Sequence, residues 1–94
     1  MRKDAKILIV EDEEDINKLL EMVLVSGGYS NILKAFDGEE ALNIINNNKP
    51  DLILMDIMIP KIDGLTLSKI IKDNPILKSI RIIMLTAKKW KKIF

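Results

Sequence analysis

Cysteine and histidine are both missing from the 94 residues. Without cysteine the chain forms neither a disulfide framework nor a thiolate metal site. Without histidine it has no imidazole base and lacks the common zinc sites. Any chemistry must rest on carboxylates, hydroxyls and lysines. No apolar run approaches the ~20 residues that a transmembrane helix needs. The basic residues before Ile7 are followed, after a short apolar run, by Glu11–Asp15, which is the wrong flank for a signal peptide. The expectation is a cytoplasmic chain with no membrane association. Repeats and low-complexity linkers are also absent, so 94 residues read as one small domain.

What is present is a globular balance of 48% hydrophobic and 31% charged residues. The formal net charge of +1 hides an asymmetry. Lys88, Lys89, Lys91 and Lys92 lie in the last seven residues, and without them 11 basic residues face 14 acidic ones, or −3. The body is mildly acidic and its end basic. Seven residues with one aromatic make no nucleic-acid footprint. Lys88-Lys89-Trp90-Lys91-Lys92 reads instead as a solvated end or the start of a fourth helix.

The most telling stretch is Leu52-Ile53-Leu54-Met55-Asp56, followed by Ile57-Met58-Ile59-Pro60-Lys61-Ile62-Asp63-Gly64. A buried-strand run ends on one carboxylate, and Pro60 and Asp63-Gly64 mark a loop. Ile7-Leu8-Ile9-Val10 repeats the design and ends on Glu11-Asp12. Two such strands side by side bring Glu11, Asp12 and Asp56 into one pocket at strand carboxyl ends, where open α/β sheets keep their sites. Three carboxylates there call for a hard cation, most simply Mg²⁺. A solvated strand end is the bland reading of Asp56, and an acidic helix start that of Glu11–Asp15.

Periodicity fills in the rest. Strands are expected at 5–10, 31–36, 51–56 and 80–85. A first helix runs from about Asp15 to Val25 with Ile16, Leu19, Leu20, Val23 and Leu24 as its apolar stripe, and Gly27-Gly28 stops it in the left-handed conformation. Asp37 caps a second helix, with Glu40 at capping-box distance, and Asn46–Pro50 ends it. A third helix begins near Leu65 and breaks at Asn74-Pro75. Strands alternating with helices predict a doubly wound parallel sheet. The mixed polarity of 31–36 suits a sheet edge.

An acidic pair after the first strand, an Asp after the third and a Thr after the fourth resemble a response-regulator receiver domain. The matching segments are Ile7–Glu13, Asp51–Pro60 with Asp63-Gly64, and Ile82-Ile83-Met84-Leu85-Thr86-Ala87. The resemblance spans residues 5–87. It implies a flavodoxin-like receiver fold with strand order 2-1-3-4, left incomplete by a missing fifth strand and last helices. Residues 1–87 would be the partial domain and 88–94 a basic tail or truncated helix. It further implies a signalling phosphoacceptor rather than an enzyme, taking a phosphoryl group on Asp56 from a histidine kinase or phosphotransfer protein. Asp12 and Asp56 would ligate Mg²⁺, Glu11 would act through water, and the backbone carbonyl of Met58 would complete the metal shell. Thr86 would contact the phosphoryl group; β-branched strand propensity is the bland reading, and its position at the end of the fourth strand favours the contact. Asp63-Gly64 reads as a turn and helix entry. A haloacid-dehalogenase phosphatase would want a second Asp where Met58 stands.

Receivers normally continue to a Lys-Pro after a fifth strand, and no such Lys precedes Phe94. Impaired phosphorylation is therefore expected, with a phosphorylation-incompetent interaction module, or a clipped product of a longer regulator, as the alternatives. An apolar fourth strand left as an edge predicts a homodimer through that edge and the Trp90-Ile93-Phe94 tail.

Overall fold

The computed structural model describes residues 1–85. Thr86, Ala87 and the whole 88–94 tail lie outside the described residues, as do the readings attached to them. Four strands, β1 (Ile7–Val10), β2 (Ile32–Ala35), β3 (Leu52–Asp56) and β4 (Arg81–Leu85), alternate with α1 (Glu14–Ser26), α2 (Gly38–Asn48) and α3 (Gly64–Asp73). All pairings are parallel and the order is β2-β1-β3-β4. This is the expected doubly wound sheet, with the weaker β2 at an edge.

Alternation along the strands divides the core. Leu8, Val10, Ile53 and Met55 turn to one face, where Ala41 and Ile45 of α2 and Leu67 and Ile71 of α3 bury them completely. Ile7 and Ile9 turn to the other face and are equally buried. That face is only partly covered. The stripe expected on α1 splits: Ile16, Leu20 and Leu24 are half-buried, whereas Leu19 and Val23 remain 58% and 59% exposed. The Glu21–Lys34 ion pair (2.8 Å) ties one flank of α1 to β2, and the register continues the face of Ile7 and Ile9 across β3 and β4. There Leu52 and Leu54 are half-buried and Ile83 is 50% exposed.

Local chemistry sets the helix ends. Asp37 accepts from the Glu40 N–H (2.7 Å), and the Glu40 carboxylate accepts from the Phe36 N–H, one residue before the cap. Asp63 caps α3 through the Thr66 N–H (2.9 Å). At the end of α1 the left-handed residue is Gly28 alone, at φ 95°, while Gly27 stays right-handed at φ −80°. Lys49 closes α2 at φ 46°, a conformation usually left to glycine or asparagine. Among the described residues no helix is long and apolar enough to cross a membrane.

Candidate functional site

The parallel register pairs Val10 with Met55, which makes Glu11 and Asp56 neighbours at the carboxyl ends of the two central strands. They sit at the switch point, where the connections from β1 and β3 leave on opposite faces of the sheet. Both are 2% exposed. Glu11 follows and Asp56 ends a strand paired on both sides, so the ladder rather than a free loop sets their positions. Burial pushes the Asp56 carboxyl above its ordinary range, the Met58 N–H pulls it down, and the nearby Glu11 carboxylate pushes it up again.

Short backbone turns orient both groups. Asp56 Oδ1 accepts from the Met58 N–H (3.1 Å), and Glu11 Oε2 accepts from the Glu13 N–H (2.9 Å). Asp12 is half-buried and lines an open cleft of ≈ 720 Å³ with Glu13, Ile57, Met58, Ile59, Pro60, Asp63 and Leu65. Glu11 and Asp56 thus meet in the interior, and Asp12 and Met58 border the cleft beside them. Among the described residues no three acidic side chains converge as a finished metal cage. A magnesium ion needs no such cage, because it keeps several waters and takes one or two carboxylates. Hard oxygen donors and adjacent like charges suit such a cation.

Asn17 was not anticipated. It is the only fully buried side chain of α1, and its Nδ2 donates to the carbonyls of Glu11 (2.9 Å) and Ala35 (3.3 Å). One amide therefore ties α1 to the ends of β1 and β2, immediately behind the acidic pair. Its Oδ1 accepts no hydrogen bond from the described residues. The sequence signal was faint: a polar residue inside an apolar stripe, one position from Ile16. Asp63-Gly64 is the turn and helix entry expected. Gly64 gives its N–H to the Ile57 carbonyl (2.8 Å), and a Cβ there would stand 2.8 Å from Ile57 Cα.

A parallel sheet with paired acidic strand ends at its switch point defines an α/β protein of the doubly wound class, and comparison with known proteins narrows the class. The family model described as Response regulator receiver domain matches residues 7–93. The chain belongs to that family, a signalling domain of two-component systems. It is 46% identical over 85 residues to the alkaline phosphatase synthesis transcriptional regulatory protein PhoP of Bacillus subtilis, covering 90% of this chain and 34% of that protein. It is 41% identical over 81 residues to the polar-differentiation response regulator DivK of Brucella anthropi, covering 86% of this chain and 65% of the relative. The N-terminal domain of a response regulator receiver protein from Methanoculleus marisnigri superposes with a TM-score of 0.82 at 40% identity, over 88% of this chain and 67% of that one. The chain spans about a third of the length of several of its curated relatives.

Proposed function

We propose that Asp56 is the phosphoacceptor of this receiver domain. The carrying observation is the buried Glu11–Asp56 pair at the carboxyl ends of β1 and β3. An Asp56 carboxylate oxygen attacks phosphorus, and the new P–O bond forms as the bond to the donor's imidazole nitrogen breaks. That nitrogen keeps the electron pair, and the product is an acyl phosphate. The donor is a histidine kinase or phosphotransfer protein, and a cytoplasmic setting goes with it. Asp12, Asp56 and the Met58 carbonyl, with Glu11 through water, would hold Mg²⁺, which when bound would supply charge neutralisation for the transfer. The Met58 N–H holds the Asp56 carboxylate in one orientation, and the walls of β1 and β3 keep it from bulk water. Thr86, next along from β4, is proposed to contact the phosphoryl group.

Mg²⁺ titration followed by amide NMR tests the site. Shifts confined to Glu11, Asp12, Asp56 and Met58 at millimolar Mg²⁺, lost in Asp56→Asn, are expected. Unchanged spectra around those residues contradict the assignment.

A second reading concerns partners. Leu19, Val23 and Ile83 are all half-exposed or more, and Leu52 and Leu54 are half-buried. A patch of roughly 500 Å² is near the most that a monomer usually shows. We infer that this face and the β4 edge pair two copies of the chain. Sedimentation should then show a dimer at micromolar concentration that Ile83→Lys dissociates. A stable wild-type monomer at high micromolar concentration contradicts it.

A further inference from the structure

The loop after Asp56 is tied to a helix, α2, that supplies none of the site's carboxylates. Residues 57–63 run from β3 to α3, and their middle leans on the start of α2. Gly38 N–H donates to the Pro60 carbonyl (3.0 Å). Asp37, the cap of α2, faces Lys61, with Oδ2 and Nζ 3.6 Å apart. Gly38 itself is buried so closely beneath Ile62 that a Cβ built on it would overlap the Ile62 carbonyl oxygen and stand 2.7 Å from Ile62 Cβ. Its φ is not positive, so the position needs glycine for space rather than for backbone freedom.

The segment so gripped is a tight one. Ile62 N–H donates back to the same Pro60 carbonyl (2.9 Å), closing a three-residue turn with Lys61 at its apex. Lys61 sits at φ 72°, which side-chain-bearing residues rarely adopt. Such a conformation persists only where its surroundings hold it. At the other end of the loop, Gly64 N–H grips the Ile57 carbonyl (2.8 Å). Met58 lies between these two pins, and its N–H is the one that orients Asp56.

We propose that the Asp37–Gly38 corner of α2 is a positioning element for the acceptor site, setting the Pro60–Ile62 turn and through it the Met58 backbone beside Asp56. The inference rests on the reading of Asp56 as phosphoacceptor, and neither corner residue touches the reacting atoms. A Cβ at position 38 must push the Ile62 carbonyl away, and the turn can yield only by shifting the backbone between the pins. A displacement of about 1 Å at a positioning group can lower a rate by ~10².

The test uses the whole 94-residue chain, a small phosphodonor with Mg²⁺, intact mass for the rate, and NMR for the Met58 amide. Gly38→Ala should slow phosphorylation by about tenfold to 10² and move the Met58 amide. Lys61→Gly in the same background, which frees the turn to re-form, should restore part of the rate. Ile45→Val, a destabilising change in the same helix far from the turn, should leave both readouts at wild type. A folded Gly38→Ala with wild-type rate and an unmoved Met58 amide overturns the proposal, as does an equal slowing by Ile45→Val. Should Gly38→Ala not fold, Lys61→Met removes the ion pair without adding bulk at the contact. A wild-type rate and unmoved amide in that variant also overturn the proposal. If the wild-type chain accepts no phosphate, the reading of Asp56 has failed, and the Met58 amide alone decides the corner.

Discussion

Glu11 and Asp56 place two carboxylates in one buried corner, an arrangement that opposes folding when no cation is bound. Asp56 has a folded-state pKa above its ordinary 3.8, chiefly through burial and then through Glu11. Between the two values the folded chain holds a proton that the unfolded chain has released. Stability from this group is therefore full below 3.8 and is lost as pH rises through the folded value. Asp37 and Asp63 run the other way. The backbone N–H groups of Glu40 and Thr66 hold them below their ordinary range, so their contribution is present above 3.8 and lost as pH falls through their folded values. In metal-free protein Asp56→Asn should raise the thermal midpoint at pH 7, and the gain should vanish at pH 3. A midpoint at or below wild type at pH 7 would show that Asp56 is not under the constraint described. The acidic residues were legible because each ends or follows an apolar run of strand length. Asn17 was not, because a polar residue near a helix start usually faces water. Its partners, the Glu11 and Ala35 carbonyls, belong to two different strands that only the folded sheet brings together. Gly38 escaped notice for the same reason, since its neighbour Ile62 lies in another loop.

At the scale of elements, every described strand and helix was legible, with ends coinciding or differing by up to three residues. Strand order came from the resemblance to receivers rather than from periodicity. The differences lie where tertiary placement decides. Ile16, Leu19, Leu20, Val23 and Leu24 were read as one apolar stripe, yet Leu19 and Val23 are more than half exposed. Helical periodicity reports which residues share a side, and it does not report whether a partner layer is there to meet them. Gly27-Gly28 was read as a unit, but a single residue, Gly28, makes the left-handed turn. At the end of α2 that task falls to Lys49, at φ 46°, just before Pro50. A Cβ is unfavourable in that region. Lys49→Gly should therefore raise stability by about 0.5–1 kcal/mol in urea unfolding, despite the loss of the Lys49 Nζ bond to the Asn46 carbonyl. A loss of stability of that size would mean that the side-chain bond outweighs the backbone strain.

The described residues form a four-stranded receiver sheet whose acidic end is assembled from three separate places. The ends of β1 and β3 supply Glu11, Asp12 and Asp56. The loop beyond β3 supplies Met58, and the start of α2 holds that loop. Among the described residues one face carries the buried core and the other is only partly covered, so the acidic strand ends and the exposed apolar side chains stand on different parts of the fold. The first depends on strand ends that are fully paired, and the second on β4, an edge strand. Incubating the 94-residue chain with Mg²⁺ and a small phosphodonor, and reading its intact mass over time, tests the central claim most directly. A gain of one phosphoryl group that requires Mg²⁺ and is abolished by Asp56→Asn is expected. A gain that persists in Asp56→Asn, or none in the wild-type chain after prolonged incubation, would contradict it.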